Sequence, residues 1–111
     1  MIRKKFGPAF QGIMDGLSHR SIRLQFLLGG CAVIAGVLLG LGSGEWIAVI
    51  LCIGLVISME IMNTAVEFLC DYLTEEADER IRKIKDLSAG AVLTASLAAL
   101  AAAAVILVRH F

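Results

Sequence analysis

Three long apolar stretches constrain the fold of this chain more than any other feature. They cover approximately residues 26–41, 46–70 and 88–108, and hydrophobic residues make up 59% of the 111 positions. Average soluble chains are roughly 45–50% apolar, and a domain this small has too little interior to bury the excess. A bilayer accepts apolar surface when the backbone hydrogen bonds close within helices. We therefore predict a single all-α membrane domain over residues 1–111, with three transmembrane helices.

The segment before the first apolar stretch has a different pattern. Between Phe6 and Leu24, apolar side chains recur at near-helical spacing among polar ones, although Gly7 and Pro8 interrupt the start. This pattern predicts an amphipathic helix over residues 6–24 that lies at the membrane surface. A plain soluble extension is the alternative interpretation of the same residues.

The basic residues predict how the spans are oriented. Net charge is zero, but Lys and Arg cluster near the N-terminus and again in the connection at about residues 74–85. Two spans separate these clusters, so both lie on one side of the membrane. The positive-inside rule places them in the cytoplasm and the C-terminus outside. Neither cluster carries interleaved aromatic residues, so we expect no nucleic-acid partner.

Four polar residues mark the second half of the second span. Asn63, Glu67 and Asp71 follow Glu60 at offsets of 3, 7 and 11 residues, which places all four on one face of a helix. A charge at the centre of a membrane span costs at least about 2.5 kcal/mol, so these residues need a function to explain them. The alternative is a protonated, packed Glu60 with Glu67 and Asp71 already among the lipid headgroups.

Carboxylates at the cytoplasmic edge of a bilayer are suited to phosphoryl transfer. They bind hard cations through oxygen, and a carboxylate partly removed from water is a candidate general base. Transfer of a phosphoryl group to an alcohol uses both functions. Lys85 and Asp86 lie on the same side, where a lysine either holds a phosphate or simply marks the cytoplasmic flank. There is no glycine-rich phosphate loop. The residues alone predict an intramembrane carboxylate site, and a small cation-transport protein or a structural subunit remains as an alternative.

Two stretches resemble the bacterial diacylglycerol kinase and undecaprenol kinase family. One is Glu60-Ile-Met-Asn-Thr-Ala-Val-Glu67 with the following Asp71, and the other runs from Lys85-Asp86 to Leu93. The resemblance covers roughly residues 10–108, and Glu45-Trp46 is similar to the Gram-positive members. It implies a homotrimer with shared active sites in the bacterial cytoplasmic membrane. It also implies transfer from ATP, with Mg²⁺, to a membrane lipid alcohol, with undecaprenol favoured over diacylglycerol.

The resemblance also implies roles for individual residues. Glu60 would be the catalytic base with Asn63 as its polar partner in the site, and Glu67 would bind the magnesium of Mg-ATP. The residues that would contact or organise the nucleotide are Glu67, Asp71, Lys85 and Asp86.

One position departs from the family pattern. Members usually carry a glutamate on the surface helix that shares the metal with the residue matching Glu67, and here that place falls on His19 or Arg20. Neither side chain replaces a carboxylate on magnesium, which prefers oxygen ligands. Asp15 lies one helical turn earlier and is the candidate substitute. If Asp15 does not bind the metal, we expect a catalytically weakened member of the family.

Overall fold

The computed structural model describes residues 2–74 and 76–111, and these form four helices. The helices are α1 (Ile2–Gly16), α2 (Arg20–Leu39), α3 (Ser43–Leu73) and α4 (Glu79–His110). No strand occurs in the described ranges. The last three helices are long and apolar enough to cross a membrane. The predicted all-α fold with three spans is confirmed.

The break between α1 and α2 lies earlier than the sequence pattern predicts. α1 ends at Gly16, and α2 begins at Arg20 instead of after residue 24. The Ser18 hydroxyl donates to the Asp15 carbonyl at 2.6 Å, which closes the turn. Ile22 is fully buried, and its Cδ1 would lie 3.4 Å from a Cβ placed on Gly16. Because Ile22 packs at this corner, residues 20–24, which were predicted to end the surface helix, belong to the first span helix α2.

α2 and α3 run antiparallel and approach closely at two glycines of α2. A Cβ on Gly29 would lie 2.9 Å from Cγ2 of Ile53, and one on Gly36 would lie 2.9 Å from the Trp46 ring. Gly40 ends α2 in the left-handed region with φ 70°, where glycine pays no steric cost. Because Gly29 and Gly36 carry no side chains, the backbone of α2 packs directly against side chains of α3.

α3 packs most extensively against α4, and polar contacts lie near both ends of this pair. At one end, Asp78 is the N-cap of α4 and accepts the Arg80 backbone N–H at 2.8 Å. At the other end, the His110 ring lies 2.9 Å from a carboxylate oxygen of Glu45. α4 begins at Glu79, so it extends into the charged segment that the sequence predicted as a connection over residues 74–85. Glu75 lies outside the described residues.

The described part of the chain has a small core for its size. The buried hydrophobic residues are Ile22, Val56, Cys70, Ala95 and Ile106. Large apolar side chains cover the outside of the spans, with Leu38 exposed by 82% and Leu100 by 68%. Such a surface is stable only against lipid or neighbouring subunits.

Candidate active site

The four polar residues predicted to share one helix face lie on the second half of α3. We call them the acidic face: Glu60, Asn63, Glu67 and Asp71. Glu60 and Asn63 are half-buried, whereas Glu67 and Asp71 are exposed. At about 1.5 Å of rise per residue, the face extends about 16 Å from Glu60 to Asp71. Because α3 is continuous over this length, one rigid element positions all four side chains.

A hydrogen bond joins Asn63 to Glu67. The Asn63 side-chain N–H donates to Oε1 of Glu67 at 3.0 Å, one helical turn further on. The Asn63 carbonyl oxygen is buried and, among the described residues, has no hydrogen-bond partner. A buried polar atom without a partner costs free energy, so this oxygen is an acceptor that the described residues leave unsatisfied. The second carboxylate oxygen of Glu67 likewise accepts no hydrogen bond from the described residues.

Glu60 lies one turn deeper in the span. Its backbone carbonyl accepts the Thr64 hydroxyl at 3.0 Å, a local contact that does not involve the carboxylate. Within residues 2–74 and 76–111, no hydrogen bond or ion pair is formed by the Glu60 carboxylate. Its lone pairs are therefore open to accept a proton from a hydroxyl group.

Lys85 connects the start of α4 to the acidic face. Its Nζ lies 2.8 Å from Oδ1 of Asp71, and the two side chains are 41% and 67% exposed. The neighbouring Asp86 accepts from Arg82 at 2.6 Å. The structure thus brings Asp71 and Lys85 together and places Asp86 in a second ion pair next to them.

Arg82 is a residue whose contacts were not predicted from the sequence. Besides Asp86, its guanidinium binds the Glu79 carboxylate, with Nε 3.1 Å from Oε2. From sequence it is one basic residue of a charged run. The helical offsets of 3 and 4 residues to Glu79 and Asp86 are the signal that would have identified these pairs.

The turn between α1 and α2 packs beside the acidic face. The rings of His19 and Phe68 meet edge to face, with centroids 5.2 Å apart and planes at 73°, and Phe68 directly follows Glu67. His19, one of the two positions at which the resemblance implies a glutamate, therefore contacts the neighbour of Glu67 in sequence.

Asp15 does not reach the acidic face through any contact in the structure. Its Oδ1 accepts from Gln11 of the same helix at 2.9 Å. No group of three or more Asp, Glu, His or Cys side chains in the described residues is arranged to hold a metal ion. The role of Asp15 as a metal ligand stays a prediction.

Gln25 is a second residue that the sequence reasoning missed. It lies on α2 and lines an apolar groove together with Gly29 and Ile57. Ile57 lies about one helical turn before Glu60 on α3. A lone amide between Leu24 and Phe26, at the edge of an apolar stretch, is the signal that would have drawn attention to it.

Comparison with known proteins identifies the family of this chain. The family model described as prokaryotic diacylglycerol kinase matches residues 7–107. The chain is also similar to undecaprenol kinase of Bacillus subtilis (strain 168), with 32% identity over 90 residues, which are 80% of this chain and 73% of that protein. A three-span helical fold with a carboxylate face, together with these matches, defines a membrane lipid kinase. The chain belongs to the prokaryotic diacylglycerol kinase family.

Proposed function

We propose that this protein transfers the γ-phosphoryl group of ATP to the hydroxyl of undecaprenol, with Mg²⁺ bound to the nucleotide. The observation that carries the proposal is the face of Glu60, Asn63 and Glu67 inside a membrane span, with Asn63 hydrogen-bonded to Glu67. A lipid hydroxyl approaches this face from the bilayer, whereas ATP approaches from the cytoplasm. The similarity to a protein named undecaprenol kinase favours the prenol over diacylglycerol.

Glu60 is the general base of this proposal. Its carboxylate takes the proton of the lipid hydroxyl as the oxygen attacks the γ-phosphorus, and ADP leaves with the electron pair of the broken bond. Asn63 orients Glu67 through the 3.0 Å hydrogen bond. Its buried carbonyl oxygen has no partner among the described residues.

The donor set fits a magnesium ion delivered with ATP. Mg²⁺ is usually held by one or two carboxylates together with substrate phosphates and waters, so no cluster of three protein ligands is needed. Glu67 supplies one exposed carboxylate with an open oxygen, and Asp15 is the candidate for a second. When bound, the ion neutralises charge on the phosphates.

The nucleotide lies, in this proposal, at the start of α4. Lys85 is the phosphate ligand, and Asp71 positions its ammonium group through the 2.8 Å ion pair. Asp86 forms an ion pair with Arg82, which lies one helical turn earlier on α4. Together with Glu67, these side chains surround the cytoplasmic entrance to the acidic face.

The proposal includes assembly and orientation. The exposed apolar faces of the spans suit a homotrimer, in which neighbouring subunits complete each site. In this proposal the N-terminus and the connection between α3 and α4 lie in the cytoplasm of a bacterial cell and the C-terminus lies outside, as the positive-inside rule predicts from the basic clusters.

The proposal is tested with purified protein in detergent micelles, γ-labelled ATP, Mg²⁺ and either undecaprenol or diacylglycerol. We expect label in undecaprenol and less in diacylglycerol. Label in neither lipid would refute the proposal, and ATP binding without transfer would identify a catalytically weakened family member. Asp15→Asn is expected to raise the Mg²⁺ concentration needed for activity; an unchanged requirement would remove Asp15 from the metal site.

A further inference from the structure

A polar cleft lies between the end of α3 and the start of α4. Its volume is about 840 Å³, within the range of about 300–1,000 Å³ that is usual for ligand sites. The carboxylates that line it belong to Asp71, Glu76, Asp78, Glu79 and Asp86. Among the described lining residues, the cations are Arg82 and Lys85. Because acids outnumber cations in this cleft, an anionic ligand depends on where these two cations lie.

Arg82 is held by two carboxylates from neighbouring turns of α4. Its Nη1 donates to Oδ2 of Asp86 at 2.6 Å, and its Nε donates to Oε2 of Glu79 at 3.1 Å. Glu79 lies three residues before Arg82 and Asp86 lies four residues after it, so all three share one side of the helix. A guanidinium group presents its N–H donors in a fixed planar fork. Arg82 and Asp86 therefore restrain each other's orientation.

The ion pair with Arg82 uses one oxygen of the Asp86 carboxylate. Oδ2 accepts from Arg82, whereas Oδ1 accepts no hydrogen bond from the described residues. An ionised carboxylate is only an acceptor, and so are the phosphate oxygens of a nucleotide. Asp86 is therefore suited to the hydroxyl or amino donors of the nucleoside and not to the phosphates. Lys85, directly before it, carries only donors and is suited to the phosphates.

We propose that Arg82 is a positioning residue that orients Asp86 towards the nucleoside part of ATP, while Lys85 binds the phosphates. This role depends on the proposed function, in which Lys85 and Asp86 lie at the nucleotide site. Helix stability alone does not account for Arg82. It is the fourth residue of α4, where a cation opposes the helix dipole. The Arg82 and Asp86 side chains are 56% and 64% exposed, and ion pairs this exposed add little to stability.

The test compares the binding of Mg-ATP with that of magnesium tripolyphosphate, which carries the phosphates without the nucleoside. Both are titrated calorimetrically into the full-length protein in micelles at fixed ionic strength. Arg80→Gln is the matched control, because it removes the same charge from the same helical turn. Arg80 pairs with Asp78 and does not line the cleft. Relative to this control, Arg82→Gln should raise Kd for ATP about three- to fivefold and leave Kd for tripolyphosphate unchanged. Lys85→Gln should weaken both ligands.

A double substitution tests whether Arg82 acts through Asp86. When Arg82→Gln is added to Asp86→Asn, Kd for ATP should change less than about twofold, because the carboxylate that Arg82 orients is already absent. A further loss as large as that in the otherwise unchanged protein would overturn the inference. Equal weakening of ATP and tripolyphosphate by Arg82→Gln, or equal effects of the two arginine substitutions, would overturn it as well.

These binding measurements separate the role of Arg82 from the proposed function. Any of the contradicting results, obtained with a protein that labels undecaprenol, would reject the role of Arg82 and leave the kinase proposal standing. The expected binding pattern in a protein that labels no lipid would support the role of Arg82 and reject the kinase proposal. A protein that binds no ATP would reject both.

Discussion

The close approach of α2 and α3 predicts opposite effects for two neighbouring glycine substitutions. A Cβ on Gly29 would lie 2.9 Å from Cγ2 of Ile53, whereas one on Gly30 would meet nothing within 4 Å. Cγ2 branches directly from Cβ, and isoleucine in a helix has one strongly preferred χ1 rotamer. Ile53 therefore cannot move aside cheaply, and the helices must separate.

The magnitude follows from two opposing terms. Replacing glycine by alanine inside a helix gains up to about 1 kcal/mol, and overpacking costs about 1–3 kcal/mol. Gly30→Ala receives only the gain. We therefore expect the unfolding free energy of Gly29→Ala to lie about 1–3 kcal/mol below that of Gly30→Ala.

Unfolding in mixed micelles of increasing SDS content measures this difference. The chain has one tryptophan, Trp46, which lies where α2 and α3 meet, so its fluorescence reports on their separation. Circular dichroism follows the helices independently. Equal stability of the two variants would refute the inferred packing of Gly29 against Ile53.

Three further predictions concern the end of α4 that carries Lys85. Glu67→Ala should raise the Mg²⁺ concentration for half-maximal activity about tenfold or more, and an unchanged titration would exclude it as a metal ligand. Lys85→Gln should raise KM for ATP at least about fivefold while KM for the lipid stays constant; an equal rise in both would argue against a phosphate contact. The Arg80 side chain and then its backbone N–H hold the pKa of Asp78 below its ordinary range. The stabilisation by this N-cap is thus present above about pH 4 and lost as pH falls through the lowered value. The protection factors of the first-turn amides of α4, corrected for intrinsic exchange at each pH, should fall only in acid, and Asp78→Asn should abolish that dependence.

The fold was largely predictable because its strongest signals are local. Hydrophobic length identifies the three spans, and the 0, 3, 7, 11 spacing places the acidic residues on one face without knowledge of any neighbour. The corner at Gly16 was not predictable in the same way. It depends on the burial of Ile22 against Gly16, a contact that a periodic pattern does not reveal.

The position of the four polar residues on one face of α3 was predictable from the sequence, whereas their contacts were less so. The ion pair between Asp71 and Lys85 joins residues 14 positions apart on two helices, so it depends on how α3 and α4 pack. The edge-to-face contact of His19 with Phe68 arises from the position of the α1–α2 turn. Gln25 gains significance only when the groove beside it is known.

Phosphoryl transfer by Glu60→Gln, compared with the unchanged protein, tests the central claim most directly. Glutamine preserves the size and hydrogen-bonding capacity of the side chain but cannot accept the hydroxyl proton as a carboxylate does. We predict a loss of turnover of about 10²–10⁴-fold with ATP binding retained. Glu45→Gln is the control, because Glu45 lies at the opposite end of α3 beside His110, and its turnover should stay near that of the unchanged protein. Retained turnover in Glu60→Gln would contradict the assignment of Glu60 as the base.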